Sequence, residues 1–210
     1  MRIKKSGLNG LFFVPIILSP LEPSGERMVK QKRRIMNVLF LTIAMLASYT
    51  TLFDFTTDAN MDRWAVINDG VMGGLSKGEL EVTTEGHGRF SGTVSLENYG
   101  GFTSIRCAVA DIAVNEGSKI QLRINGDGKD YQFRVKHKAR DYQSYITTIP
   151  TTGEWETIEI PLIDLYPSWR GQKLDMPNFD GSSINEFTFL IANKRNETFE
   201  LLIDEVVLVP

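Results

Sequence analysis

Alternation of apolar and polar residues is the regularity that most constrains this chain of 210 residues, and it recurs in short segments from residue 52 onward. Alternating side chains point to opposite faces of a strand, so each segment predicts a strand with one buried face. Turn residues separate the segments, and Asn-Gly-Asp-Gly at 125–128 predicts a β-hairpin. The predicted strands are residues 52–55, 79–83, 88–96, 102–109, 119–125, 131–136, 144–149, 155–160, 184–191 and 199–209. About ten strands without intervening helices predict an all-β, jelly-roll-like β-sandwich.

The phase of the alternation also predicts the core. The apolar positions of three central strands are Ile105, Cys107, Ile120, Leu122, Ile124, Phe133 and Val135. Cys107 is the only cysteine, which excludes an internal disulfide framework and any multi-cysteine metal site. Its position within a strand favours a small buried apolar side chain over a reactive thiol.

Two turns dense in glycine lie between Trp64 and Arg106, with an alternating strand between them. Their candidate structural residues are Trp64, Asp69, Gly70, Gly73, Gly74, Asn98, Gly100 and Gly101. Glycine permits positive φ and close backbone approach, so both turns are predicted to be specified structures that lock neighbouring strands. The first turn lacks the spacings of the nucleotide-binding glycine motifs, and no helix follows it, so no nucleotide is expected as a ligand.

The same region carries a family resemblance. The segments DGVMGGLS (69–76), FSGTVSLEN (90–98) and GGFTSIR (100–106) occur in this order, and FELLID (199–204) follows near the end. Together they resemble the complex I intermediate-associated protein 30 family over roughly residues 52–209. The resemblance implies a galactose-binding-like β-sandwich, related to carbohydrate-binding modules, without an established catalytic centre. It also implies two settings, since mitochondrial members assist assembly of respiratory complex I and bacterial members are mostly of unassigned function.

The first 50 residues differ in composition from the rest. A basic segment precedes an apolar run at residues 35–47, which is the order found in a signal peptide. This run of 13 residues is shorter than the roughly 20 that a membrane span needs, although an uncleaved anchor is the alternative. Met28 and Met36 are candidate starts. We therefore expect residues 1–50 to be a leader and residues 51–210 to be one domain. That domain would be exported to the periplasmic or extracellular side, or held at a membrane by the leader alone, and would be cytoplasmic if the leader is not used.

The predicted domain is acidic. Eight of the 23 Lys and Arg residues and two of the 26 Asp and Glu residues lie within residues 1–50, which leaves 15 against 24 and a formal charge of −9. A general nucleic-acid binder needs a basic surface, so nucleic acid is excluded as the expected partner.

Catalytic and metal-binding patterns are weak. The two histidines, His87 and His137, form no Ser-His-Asp or Cys-His arrangement, and no carboxylate pair stands out among the many acids. We therefore expect no enzyme activity and no cofactor. The family resemblance leaves room for a structural calcium between the first and last strand regions, where Asp54 and Asp204 would supply oxygen ligands.

Strand parity predicts a binding face. If the apolar set points inward, the outward set of three strands is rich in guanidinium and amide groups. The candidate binding residues are Phe102, Arg106, Gln121, Arg123, Gln132 and Arg134, with Tyr145 beside them. Arginine forks suit carboxylates and sugar hydroxyls, while the alternative is a solvated face whose arginines pair with acids such as Glu97 or Asp130. Two functions remain open: a module that binds subunits of a protein complex, and an exported module that binds a glycan.

Overall fold

The computed structural model describes residues 25, 28–34 and 49–210. The chain divides into two units, Met1–Ala47 and Ser48–Pro210. In the first unit, residues 28–34 are helical and exposed. Within the described residues, no helix has the length and apolar character needed to cross a membrane. The apolar run of the predicted leader, and any cleavage after it, lie outside the described residues.

Thirteen strands form the second unit. They are β1 (Thr50–Asp54), β2 (Trp64–Asn68), β3 (Lys77–Val82), β4 (Gly88–Val94), β5 (Thr103–Ala113), β6 (Lys119–Gly126), β7 (Asp130–Lys136), β8 (Ser144–Pro150), β9 (Trp155–Pro161), β10 (Tyr166–Trp169), β11 (Gln172–Lys173), β12 (Ser183–Ile191) and β13 (Glu197–Val209). Single turns of 3₁₀ helix cover Met61–Arg63, Asp69–Met72, Glu97–Tyr99 and Leu162–Asp164. All ten predicted strands are present, whereas β2, β10 and β11 were not predicted. The two strands β10 and β11 are too short to show a periodic pattern.

The strands form two antiparallel sheets. The six-stranded sheet has the order β3-β4-β13-β6-β9, with β1 also paired to β13. The seven-stranded sheet has the order β11-β10-β8-β7-β12-β5-β2. The predicted all-β sandwich is therefore confirmed.

The core lies between the inner faces of the two sheets. Each of the seven predicted core side chains is at most 1% exposed. Aromatic rings add to it, since Phe187 contacts Phe133, Phe189 and Trp64 at ring-centroid distances of 6.1, 6.2 and 5.4 Å. A fully buried side chain of this size contributes roughly 1.5–3 kcal/mol of hydrophobic free energy. Trp64 thus has a packing role in the sandwich.

The predicted hairpin at residues 125–128 is wrong. β6 pairs with β13 and β9, whereas β7 pairs with β12 and β8, so this turn carries the chain from one sheet to the other. Asp127 holds the turn by accepting hydrogen bonds from Tyr131 Oη at 2.9 Å and from the Glu200 backbone N–H at 3.0 Å. A turn-forming sequence determines the local reversal of the chain, but pairing depends on which sheet offers the complementary apolar face.

Candidate functional site

A buried carboxylate joins the two glycine-rich turns. Asp69 is 1% exposed, and its Oδ2 accepts hydrogen bonds from Ser76 Oγ at 2.5 Å and from the Gly101 N–H at 2.7 Å. The Phe102 N–H donates to the same oxygen at 3.3 Å, while the Ser76 N–H donates to Oδ1 at 3.1 Å. Burial acts to raise the pKa of the Asp69 carboxyl, but the hydrogen bonds outweigh it and hold that pKa below its usual range. The carboxylate therefore has a structural role.

Two glycines make room for this carboxylate. A Cβ on Gly74 would lie 2.2 Å from Asp69 Oδ1, and a Cβ on Gly100 would lie 2.7 Å from Asp69 Oδ2. Gly73 and Gly101 instead adopt positive φ values of 86° and 133°. The turns thus use glycine both for close approach and for left-handed backbone, which are the two properties expected from the sequence.

The outer surface of the seven-stranded sheet carries two of the predicted arginines. One row of outward side chains crosses six strands at matching register: Tyr166, Ile146, Arg134, Thr188, Arg106 and Ala65. A second row beside it consists of Thr148, Gln132, Leu190, Ser104 and Ile67. We call these two rows, together with Lys136 and Glu186, the arginine face. Its central floor is formed by small or aliphatic side chains, since Ser104, Ile146 and Thr188 are all buried.

Arg134 lies near the middle of the arginine face, where it donates hydrogen bonds to an amide. Its Nε and Nη2 donate to Gln132 Oε1 at 3.2 and 2.6 Å. Among the described residues, no carboxylate forms an ion pair with it. Burial of the guanidinium lowers its pKa. The nearby Tyr166 acts against this shift, and the like charge of Arg106 adds a smaller lowering. Among the described residues, Arg134 is therefore a partly desolvated cation whose hydrogen bonds go to a neutral amide and not to a carboxylate.

Arg106 lies two strands away and has one acidic neighbour. Its Nε is 3.4 Å from Glu186 Oε1, but this contact is too poorly aligned to be a hydrogen bond, and Nε is buried without one. Burial raises the pKa of the Glu186 carboxyl despite the nearby charges of Arg106 and Lys136. The sequence allowed an alternative in which the arginines pair with acids. Arg106 has such a neighbour in Glu186, whereas Arg134 has none among the described residues.

The prediction that three strands present their polar residues on one face is wrong. β6 belongs to the six-stranded sheet, so Gln121 and Arg123 lie on the opposite side of the sandwich from Arg106 and Arg134. Arg123 Nε pairs there with Asp204 Oδ2 at 3.2 Å, and its guanidinium stacks on Trp155 at 5.5 Å. Parity along a strand distinguishes inside from outside, but it does not assign the strand to a sheet.

Tyr145 and Phe102 also differ from expectation. Tyr145 pairs in register with inward-facing Val135, is 9% exposed and packs edge-on against Phe179 at 5.2 Å, so it belongs to the core. The segment Ser144–Pro150 has apolar residues in both phases of its alternation, with Ile146 in the other phase, so parity alone was ambiguous there. Phe102 precedes β5, is half-buried, and contributes its N–H to Asp69.

Exposed aromatic side chains cluster at the β10–β11 end of the same sheet. Trp169 is 44% exposed and Tyr142 is 61% exposed, and their rings meet edge to face at 5.9 Å. The guanidinium of Arg170 lies over Trp169 at 4.7 Å, and Lys173 Nζ lies over Tyr166 at 5.2 Å. None of these aromatic residues was among the candidate binding residues predicted from the sequence. The Arg-Gly pair at 170–171 forms the tight turn between β10 and β11, and it was the sequence feature that could have indicated a hairpin here.

The predicted calcium ligands do not fit a dication. Asp204 Oδ2 lies 3.2 Å from Arg123 Nε, and Asp204 Oδ1 lies 3.1 Å from His87 Nδ1. Asp54 lies on β1 opposite Glu205. Within residues 25, 28–34 and 49–210, no group of three His, Cys, Asp or Glu side chains is placed to hold a metal ion. A dication at Asp204 would have to displace the guanidinium that already neutralises this carboxylate.

Polar groups at the Asn125–Gly128 turn are already mutually satisfied. A shallow cavity of about 340 Å³ there is lined by Asp127, Thr152 and Glu200 among others. Asp127 already binds Lys129, Tyr131 Oη and the Glu200 N–H, and these bonds lower its pKa against the opposing effect of burial.

Cys107 is buried, and burial raises the pKa of its thiol to about 12, so this thiol is not a nucleophile at neutral pH.

Comparison with known proteins confirms the sequence resemblance. Residues 53–203 match the model of the complex I intermediate-associated protein 30 family. No curated protein matches the chain.

Solved structures share the fold. A family 11 carbohydrate-binding module of the cellulase Lic26A-Cel5E of Clostridium thermocellum is 20% identical, with a TM-score of 0.58 over 77% of this chain and 94% of that chain. A family 11 module from the same organism, in complex with a beta-1,3-1,4-mixed-linked tetrasaccharide, is 17% identical, with a TM-score of 0.57 over 77% and 95%. The agarase AgWH50C is 14% identical, with a TM-score of 0.52, and the match covers 77% of this chain but 24% of the agarase. At these identities the likeness shows the β-sandwich fold.

Proposed function

Because the chain belongs to the complex I intermediate-associated protein 30 family, we propose that it is a non-catalytic binding module that assists the assembly or stability of a multi-subunit protein complex through protein–protein contacts. The family name suggests a respiratory complex. The observation that carries the proposal is the arginine face, where Arg134 lacks an ionic partner among the described residues. A partly desolvated cation without a counter-ion costs free energy, and a docked partner would offset that cost.

A binding role accounts for the chemistry better than catalysis does. Two of the acidic groups with lowered pKa values, Asp69 and Asp127, accept hydrogen bonds that hold turns together. The buried thiol of Cys107 has a raised pKa. Catalytic acids, bases and nucleophiles need pKa values near the working pH, and the shifts at these three residues lead away from it. Asp69 and Cys107 are buried as well.

Affinity purification of the full chain from cells that encode it tests the proposal. We expect wild-type protein to co-purify with subunits of one complex, and Arg134→Gln to retain at least about fivefold less of them, because an interface cation contributes on the order of 1 kcal/mol or more. Arg123→Gln is the matched control, since it removes a guanidinium from the opposite sheet. Equal recovery with wild type and Arg134→Gln would contradict a partner site on the arginine face.

An exported carbohydrate-binding module is the second candidate, and the cluster of exposed Trp169 and Tyr142 with half-buried Tyr166 favours it. Sugar rings stack on exposed aromatic side chains, and the structurally similar family 11 module binds a mixed-linked tetrasaccharide. This reading needs the leader to export the domain. A glycan array probed with wild type and Trp169→Ala tests it: Trp169-dependent sugar binding without any protein partner would replace the assembly role.

A further inference from the structure

We infer that Arg134 binds a carboxylate group, and that the occupant of the arginine face is an acidic, extended segment of a partner protein. The inference rests on the proposed function and specifies the chemistry of its partner. It concerns the outer surface of β5, β12, β7 and β8, and it does not involve the aromatic cluster at the β10–β11 end.

Charge complementarity is the first observation. The central part of the arginine face carries Arg106, Arg134 and Lys136 against a single carboxylate, Glu186, which lies next to Arg106. Lys136 Nζ donates to the backbone carbonyl of Asp141 at 2.9 Å. Arg134 therefore keeps its positive charge without a paired acid among the described residues, and Lys136 lies opposite Glu186 in register. Three cations thus outnumber one carboxylate here, in a domain whose predicted formal charge is −9. A local excess of this sign attracts anionic groups.

The guanidinium of Arg134 has an open edge. Nε and Nη2 share one acceptor, Gln132 Oε1, and this leaves further N–H donors of the fork unused. Five side-chain polar atoms among the described residues are buried without a hydrogen-bond partner, and none of them belongs to Arg134. Its unused donors are thus accessible from outside. A carboxylate is the group that matches a guanidinium edge with two parallel hydrogen bonds.

The floor around Arg134 favours a peptide over a sugar. On either side of Arg134, the register neighbours Thr188 and Ile146 are small or aliphatic and buried. The outward positions of β5, β12, β7 and β8 carry no aromatic ring on which a pyranose could stack. Tyr166 on β10 lies in the same row two strands from Arg134, but it is half-buried and Lys173 Nζ lies over its ring at 5.2 Å. The row from Ile146 through Arg134 and Thr188 to Arg106 crosses these four strands and spans about 14 Å, which about four residues of extended peptide would cover.

Fluorescence anisotropy with two labelled ten-residue peptides, a Ser-Glu repeat and a Ser-Gln repeat, tests the inference with the full-length protein. We expect wild type to bind the Glu peptide at least about tenfold more tightly than the Gln peptide, with an affinity that falls as salt increases. Arg134→Gln should weaken binding of the Glu peptide at least about tenfold, and Arg134→Lys should weaken it less because the charge remains. Arg123→Gln should bind like wild type, and Arg134→Lys provides the comparison if Arg134→Gln does not fold.

Three results would overturn the inference: equal affinity for the two peptides, unchanged affinity in both Arg134 variants, or tighter binding of polygalacturonate than of the Glu peptide. The last result would identify an acidic glycan as the occupant. If the peptides fail while co-purification still depends on Arg134, the acidic-segment inference falls and the proposed function stands. If only neutral glycans bind and no complex co-purifies, the proposed function falls as well.

Discussion

Asp69→Asn is expected to lower the free energy of unfolding by about 3 kcal/mol, because the buried carboxylate accepts four hydrogen bonds that a neutral amide cannot all replace. The amide presents two N–H donors toward N–H groups of the turns, so at least one backbone donor would lose its partner. Urea unfolding followed by tryptophan fluorescence measures the change. Asp58→Asn, at an exposed position, is the matched control and should change stability by less than about 0.5 kcal/mol.

The loss in Asp69→Asn should also depend on pH. The folded-state pKa of Asp69 lies below its usual value, so its stabilising contribution is fully present above the unfolded pKa of about 3.9 and is lost as the pH falls through the folded pKa. The stability difference between wild type and Asp69→Asn should therefore be constant from pH 7 to about pH 5 and shrink below about pH 4. A difference that grows toward low pH would mean that the Asp69 carboxyl is protonated in the native protein.

Strand parity was predictable from sequence, whereas sheet membership was not. Alternation correctly separated Ile105 and Phe133, which are buried, from Arg106 and Arg134, which face outward, because that period is a property of one strand. Arg123 was placed on the wrong face because β6 lies between β13 and β9, and β13 is far away in sequence. Contacts between distant strands are determined by tertiary packing, which a local pattern does not contain.

In the candidate site, too, the residues were predictable from sequence but their partners were not. The arginines were predicted from parity, but the acid beside Arg106 was not, since Glu186 reaches it across the β5–β12 pairing from 80 positions away. The glycine spacing in the first turn indicated a specified structure. Its physical reason, the Asp69 carboxylate, became visible only when Ser76 and Gly101 were found at hydrogen-bond distance. Sequence therefore located the residues that matter, while their partners required the fold.

The three glycines of the first turn should differ in their tolerance of alanine, with Gly74→Ala the most damaging. A Cβ at Gly74 would lie 2.2 Å from Asp69 Oδ1, so the carboxylate would have to leave its hydrogen bonds, at a cost of about 3 kcal/mol. Gly73→Ala should cost about 1 kcal/mol, because space is open there but φ is +86°. Gly70→Ala, with open space at an exposed position and no positive φ, should stay within about 0.5 kcal/mol.

A double-mutant cycle separates the contact with Asp69 from backbone strain. In an Asp69→Ala background the clashing oxygen is gone, so adding Gly74→Ala should cost less than about 1 kcal/mol, which corresponds to a coupling of about 2 kcal/mol between the two positions. Gly73→Ala should cost the same about 1 kcal/mol in both backgrounds, because its penalty arises from the left-handed backbone and not from a neighbouring side chain. Urea unfolding of the six proteins measures both cycles. If the losses in free energy of unfolding for Asp69→Ala and Gly74→Ala are strictly additive, the Asp69 carboxylate does not need the space that Gly74 leaves.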